Sequence, residues 1–313
     1  MNKVALLFLG LLLLLIQNSF AALELNAQYF LFIAGIIFLG VPHGAADLLV
    51  ASRNADLAEK KFSKNKFLFV YVGRLAAFAF FLFLFPVVGN IIFIFFAAYH
   101  FGETDLHQFK TNTLPGKIFV LSYGLLILSV ILLHHFDDVK QIYLMFESGK
   151  RNAAIINWLS QNRYYLLSAN ALIFFVSSFF YFIKNKYSDN KDTGQFLVRF
   201  ALILFILFNL PLILGFTFYF VVWHSLISLT NIINYLRQKN KISYTTIFKQ
   251  ILLYSSIAIA GIAVFGLTGF MYINENAVAA YIFFGLAVLT APHMEIMYEM
   301  YVALRNKPAD VLT

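Results

Sequence analysis

The sequence predicts an all-α protein, a polytopic transmembrane helical bundle of about nine or ten spans. Of its 313 residues, 61% are hydrophobic and 12% are charged, whereas about 25% of the residues in a soluble domain are charged. Apolar stretches of about 20 residues, enough to cross hydrocarbon, recur along the whole chain. Because they lack the period-2 alternation of a β-barrel, and lipid cannot satisfy open backbone groups, they must be helices.

Polar residues separate ten apolar segments. These are Val4–Ala21, Tyr29–Val50, Phe67–Pro86, Ile91–Asp105, Ile118–Leu133, Tyr165–Ile183, Phe196–Leu214, Phe218–Leu236, Ile251–Tyr272 and Val278–Leu304. No internal repeat or low-complexity tail divides the chain. We therefore expect residues 23–313 to form a single integral-membrane helical domain.

Residues 1–22 have two interpretations, a signal peptide or a first transmembrane helix. Lys3, the apolar run Val4–Ile16 and the small residues Ser19 and Ala21 are typical of a cleavable signal peptide. A retained helix fits the same residues. The next residue emerges outside in both cases, so the other nine segments keep one orientation.

The net charge of +8 follows from this topology. A cytoplasmic start places most Lys and Arg residues in cytoplasmic loops, as the positive-inside rule requires. We therefore expect a multi-pass protein of the inner (cytoplasmic) cell membrane, with lipid and no nucleic acid as its partner. Arg74 and Arg199 lie near cytoplasmic helix ends, where their side chains are expected to reach the headgroups.

The largest segment predicted outside the membrane runs from Leu133 to Tyr164. It contains an amphipathic stretch, Ala153–Leu159, which favours a short helix lying in the membrane interface. His134 and His135 at its start are expected to be solvated.

Four histidines lie within predicted spans, where an ionisable side chain is costly and marks a candidate functional site. They are His43, His100, His224 and His293. At about 1.5 Å per residue, all four fall in the central band of the bilayer. Four imidazoles at one depth predict a metal site, and the chain has no cysteine to supply thiolates. Imidazole alone suits divalent iron, zinc, copper or nickel.

Carboxylates follow two of these histidines. A metal-bound imidazole usually donates its second N–H to a carboxylate or carbonyl group. Asp47 follows His43 by four residues and Glu103 follows His100 by three, so each lies on the face of its own histidine. We expect both to support the site, and Glu103 is also a possible ligand.

The other two histidines have different neighbours. Ser228 and Asn231 share the helix face of His224 and are expected to hydrogen-bond there. Glu295 lies on the opposite face from the fourth histidine, so Glu295 and Glu299 are expected to contact a neighbouring helix or the cytoplasmic boundary.

At these residues the sequence resembles the Brp/Blh family, membrane-integral β-carotene 15,15′-dioxygenases that cleave the central double bond to give two retinal molecules. Four motifs carry the resemblance, in order and along nearly all the chain after the first segment. They are Pro42-His43-Gly44-Ala45-Ala46-Asp47, His100-Phe101-Gly102-Glu103-Thr104-Asp105, His224-Ser225 and Pro292-His293-Met294.

The resemblance implies a non-haem Fe(2+) ion held by His43, His100 and His224, with no catalytic side chain beyond the metal ligands. Described family members place another histidine four residues after the third of these, where this chain has Ser228. The fourth position is then filled by His293, by water, by Glu103 or by another residue.

The resemblance further implies β-carotene and O2 as substrates, and a protein that accepts the retinal. β-Carotene has no polar group, so it must be held by shape in an apolar channel. Candidate lining residues are Phe93, Phe95, Phe96, Phe216, Phe218 and Phe220.

Two other functions remain open. One is a different non-haem iron oxidation of a carotenoid or lipid. The other is a non-catalytic transporter or proton relay that uses the same polar residues. The absence of inverted repeats from the sequence argues against transport.

Overall fold

The computed structural model describes residues 3–20, 22–145, 147–184, 190–237, 242–270 and 278–305. Every regular element among these residues is helical, which confirms the all-α class. Their helices are α1 (Lys3–Leu15), α2 (Leu25–Leu57), α3 (Lys64–Leu84), α4 (Pro86–Asp105), α5 (Leu114–Leu132), α6 (Phe136–Leu144), α7 (Glu147–Arg151), α8 (Ala153–Lys184), α9 (Asn190–Asn209), α10 (Leu212–Arg237), α11 (Tyr244–Phe270) and α12 (Val278–Arg305).

Seven helices of the described residues are long and apolar enough to cross a membrane, namely α2, α3, α4, α5, α8, α10 and α11. Shorter apolar helices occupy Lys3–Ser19 and Thr193–Asn209. A multi-pass membrane bundle is thus confirmed, with seven crossings supported by length and composition against the nine or ten expected. The predicted segment ends at Ala21 and Tyr272 lie outside the described residues.

The segment between α5 and α8 differs from the prediction. The short amphipathic helix there is α6, and the stretch Ala153–Leu159 forms the first turns of α8, which is 32 residues long. No glycine or proline follows Leu159 before the apolar part of α8, so nothing ends the helix at that point.

The two histidines that precede α6 pack against the end of α9. The His134 ring stacks on Phe208 with 3.8 Å between ring centres. Nε2 of His135 lies 3.3 Å from the carbonyl oxygen of Leu207. Partial burial and the neighbouring His135 lower the pKa of His134. These contacts correct the expectation that both side chains are simply solvated.

Two of the spanning helices are interrupted by π-helical turns. In α2 the π-helical residues are Ile36–Gly40, and in α10 they are Thr217–His224. Pro42 has no backbone N–H to donate to the carbonyl group four residues earlier, which opens the hydrogen-bond ladder of α2. The α-helical path of α2 is interrupted again by a turn at Ala46.

Glycines bring α4 and α5 into close contact. A Cβ atom added at Gly102 would collide with the carbonyl oxygen of Val120, and one added at Gly124 would collide with that of Ala98. Small residues are the usual means by which membrane helices approach one another closely. Gly102 lies two residues after His100, so this contact fixes the position of the His100 backbone.

The first helix packs on the bundle. Leu6, Leu7, Gly10 and Leu14 of α1 are buried. A Cβ atom at Gly10 would meet the ring of Phe218 in the π-helical turn of α10. Cleavage and retention of residues 1–22 both stay predictions. The contact between Gly10 and Phe218 can form only in a protein that retains these residues.

Replacing Gly102 with alanine should destabilise the protein by about 1–3 kcal/mol, the usual cost of overpacking, because a backbone carbonyl group must move. Unfolding of the purified protein in mixed micelles measures the change. Gly73→Ala is the matched control, because an added Cβ at Gly73 in α3 meets nothing within 4 Å. Equal stability of the two variants would contradict the close contact.

Candidate functional site

The four histidines that the sequence places in predicted spans meet in the interior of the bundle. They come from α2, α4, α10 and α12, and their rings form a closed circuit. The ring-centre distances are 4.8 Å for His43–His293, 5.2 Å for His293–His100, 4.8 Å for His100–His224 and 5.6 Å for His224–His43. The structure therefore brings together the side chains that the sequence indicated. We call these four residues the histidine ring.

The histidine ring is buried and poorly supplied with hydrogen-bond partners. The exposed fractions of its members lie between 0% and 5%. Six of the eight ring nitrogens are buried and make no hydrogen bond: Nδ1 of His43, both nitrogens of His100, both of His224 and Nε2 of His293. Buried polar atoms usually have a partner, so this concentration of free nitrogens indicates a site for a ligand.

The spacing of the histidine ring fits a shared metal ion. With a metal–nitrogen distance of about 2.1 Å, each ring centre would lie roughly 3.2 Å from the ion and neighbouring centres about 4.5–5.2 Å apart. Most of the observed distances fall near this range. Within the described residues, however, no three His, Asp or Glu side chains already present their donor atoms in a metal-binding arrangement. Metal binding would thus require the rings to reorient.

Asp47 contacts His293 rather than the expected His43. Its Oδ1 atom lies 2.7 Å from Nδ1 of His293, and its Oδ2 atom accepts a hydrogen bond of 2.9 Å from the hydroxyl group of Tyr71. The turn at Ala46 rotates the carboxylate away from His43 and towards α12. Because an ionised carboxylate only accepts, this contact places a proton on Nδ1 of His293, and in a neutral imidazole Nε2 then has the free electron pair.

Glu103 also has a partner on another helix. Arg305 donates a hydrogen bond of 2.7 Å to its Oε1 atom; Glu103 is buried and Arg305 is partly buried. A charged guanidinium group binds a carboxylate more strongly than a neutral imidazole does, so Glu103 turns to α12 instead of supporting His100. Oε2 of Glu103 is buried without a hydrogen bond.

The residues expected to support His224 are differently placed. Asn231 donates a hydrogen bond of 3.2 Å to the hydroxyl oxygen of Tyr301 on α12. Ser228 is fully buried, and its hydroxyl group makes no hydrogen bond. Ser228 thus stays a candidate neighbour of His224, and Asn231 instead joins α10 to α12.

The two glutamates of α12 contact neighbouring helices, as the sequence indicated. Glu295 accepts a hydrogen bond of 2.6 Å from Arg74 on α3, and Glu299 accepts one of 3.2 Å from Asn54 on α2. Arg74 thus has a carboxylate partner, and its extension to the lipid headgroups stays a prediction.

Aromatic side chains surround the histidine ring on one side. The centre of the Phe101 ring lies 4.6 Å from that of His224, and Phe220 stacks on His224 at 6.1 Å. Phe216 in turn stacks on Phe220 at 5.3 Å. Of the other proposed channel residues, Phe95 and Phe96 are exposed on the outer surface of the bundle and do not line the site.

Comparison with known proteins places these residues in a family. The family model described as β-carotene 15,15′-dioxygenase matches residues 34–301, which include all four histidines. The chain belongs to the β-carotene 15,15′-dioxygenase family. A curated β-carotene 15,15′-dioxygenase from uncultured marine bacterium 66A03 is 25% identical over 267 residues, covering 84% of this chain and 90% of that protein. No solved structure matches the chain.

Sequence patterns did not indicate two residues next to the histidine ring of this β-carotene dioxygenase family member. Tyr71 is one of 17 tyrosines, and no spacing links it to Asp47, 24 positions away. Arg305 follows the pattern of basic residues expected on the cytoplasmic side, so the sequence gives no sign that it pairs with Glu103. Both contacts join different helices, so periodicity within one helix could not reveal them.

In metal-free protein, a double-mutant cycle of Asp47→Ala and His293→Ala should give a coupling free energy of about 1.5–3 kcal/mol. A buried, charged hydrogen bond has this value, and removing either partner leaves the other unsatisfied. Unfolding in mixed micelles provides the free energies. His293→Ala with Asp56→Ala, at an exposed position of α2, should be additive. Additivity of the first pair would disprove the contact.

Proposed function

We propose that this protein cleaves the central 15,15′ double bond of β-carotene with O2, giving two retinal molecules. The observation that carries the proposal is the histidine ring, with six buried and unpaired imidazole nitrogens, in a chain of the β-carotene 15,15′-dioxygenase family. The named activity of the marine bacterial relative supports the same reaction here.

We further propose that the histidine ring holds Fe(2+), with His293 in the fourth position. Neutral imidazoles suit divalent iron. Asp47 would keep Nδ1 of His293 protonated and leave Nε2 to bind the metal. Ferrous iron bound there would supply the activation of O2 that oxygenases need. Asp47 would offset part of its positive charge.

The task of the surrounding residues is to hold an apolar polyene and exclude water. Phe220, Phe216 and Phe32 form a row of aromatic contacts that leads away from His224, with 5.6 Å between the ring centres of Phe32 and Phe216. Such faces bind a polyene by dispersion and shape, because it offers no polar group. This row would carry one half of β-carotene with its central bond near the histidines. Retinal released into the inner membrane would pass to an acceptor protein.

Expression in bacteria that accumulate β-carotene, with iron and oxygen supplied, should convert the carotene to retinal. Central cleavage requires close to two retinal molecules per carotene lost, both quantified by chromatography. His43→Ala should abolish conversion at equal protein level, because it removes one imidazole from the histidine ring.

Other outcomes point to the alternative functions. Iron-loaded, membrane-inserted protein that leaves β-carotene intact would contradict central cleavage and favour oxidation of another carotenoid or lipid. Protein without iron and without conversion would favour the transporter or proton relay.

Purified protein should contain close to one iron per chain, and His100→Ala and His224→Ala should each lower iron affinity at least about tenfold. Metal analysis after equilibration with limiting Fe(2+) measures the loss. His107→Ala is the matched control, because His107 lies just after α4 and its Nδ1 contacts the carbonyl oxygen of Thr104, outside the histidine ring. Full iron content in all three variants would contradict the site.

His293→Ala tests the fourth position. We expect it to lower iron content as well, because Nε2 of His293 is buried and unpaired next to the rings of His43 and His100. Adding Ser228→His to the His293→Ala variant should restore part of the iron content. The family members that this sequence resembles have histidine at the position of Ser228. Unchanged iron in His293→Ala would assign that residue a structural role.

A further inference from the structure

Asp105, the last residue of α4, is a buried carboxylate outside the histidine ring. It is 5% exposed and lies five residues after His100. A buried carboxylate is costly unless several donors satisfy it. The proposed reaction does not use this residue, so its burial calls for another explanation.

Three aromatic side chains donate hydrogen bonds to Asp105. The hydroxyl groups of Tyr123 and Tyr219 lie 2.7 Å and 3.1 Å from Oδ2, and Nε1 of Trp223 lies 3.0 Å from Oδ2 and 3.1 Å from Oδ1. All three donors are buried. The carboxylate is therefore held from two other helices, because Tyr123 belongs to α5 and the other two residues belong to α10.

The two donors from α10 lie in its π-helical turn, which ends at His224. Trp223 immediately precedes His224. The ring of Tyr219 packs edge-on against Phe101 at 5.3 Å, and Phe101 lies 4.6 Å from His224. Side chains in a π-helical turn point in directions that differ from those in an α-helix. The directions of the side chains in this turn therefore depend on the contacts that the turn makes.

We propose that Asp105 is a positioning residue that clamps the π-helical turn through Tyr219 and Trp223 and thereby orients His224 in the histidine ring. Its effect on metal binding and turnover rests on the proposed function, whereas the orientation of His224 does not. Lys3 of α1 and Arg199 of α9 line a small cavity beside Asp105.

Nuclear magnetic resonance of metal-free protein with ¹⁵N-labelled histidine and tryptophan tests the clamp directly. His224→Gln assigns the imidazole signals of His224, and Trp158→Phe assigns the two indoles. Asp105→Asn should shift the indole signal of Trp223 and the imidazole signals of His224, and leave those of His134 unchanged. Unshifted His224 signals beside a shifted Trp223 indole would overturn the proposal.

Tyr219→Phe and Tyr123→Phe form a matched pair, because each removes one hydroxyl donor from the same carboxylate. Only Tyr219 belongs to the π-helical turn, so only Tyr219→Phe should shift the His224 signals. Equal shifts in both variants would reduce Asp105 to a general stabiliser. This pair also decides the question if Asp105→Asn does not fold.

Titration of the metal-free wild type and variants with Co2+ measures how the clamp affects metal binding. Asp105→Asn and Tyr219→Phe should weaken Co2+ binding by about tenfold and change its visible spectrum, with Tyr123→Phe close to wild type. Wild-type affinity and spectrum in all variants would overturn the effect on the metal. If wild type binds no Co2+, the proposed metal centre fails, and the nuclear magnetic resonance result still decides the clamp.

Discussion

A bilayer interior offers no water to a polar group, and this constraint organises the whole structure. Each buried donor or acceptor must find a protein partner or hold a ligand. The backbone meets the requirement by being helical. The side chains meet it in cross-helix pairs, and the six unpaired nitrogens of the histidine ring are concentrated in one place. That concentration gives the bundle its chemical centre.

The pairs that surround the histidine ring each join two helices. Asp47 joins α2 to α12 and also binds Tyr71 of α3. Glu103 joins α4 to Arg305 of α12, and Asn231 joins α10 to the same helix. In lipid, helices gain little from burying apolar surface against one another, so polar pairs and close packing determine which helix faces meet. Of these pairs between the histidine-bearing helices, only Asp47–His293 includes a member of the histidine ring.

Irregular backbone recurs at the histidines. The π-helical turns of α2 and α10 lie beside or at a histidine, and Pro42 and Pro292 each immediately precede one. An uninterrupted α-helix repeats its side-chain directions every 3.6 residues, which limits where an imidazole can point. Departures from that path re-aim the side chain and are common at functional sites. Asp105 of α4 contacts one such irregular segment, the π-helical turn of α10.

Hydropathy and charge pattern are local properties, so the sequence by itself determined the helical class, the membrane environment and the four histidines at one depth. Same-helix spacing pointed correctly to Asp47 and Glu103 as buried polar residues but assigned both the wrong partners. Asp47 meets a histidine 246 positions away because the turn at Ala46 rotates its side chain. Glu103, Ser228 and Asn231 likewise depend on how neighbouring helices are rotated and how closely they approach. Only the tertiary structure decided these contacts, because periodicity specifies directions around one helix axis and contains no information about the helix that lies opposite.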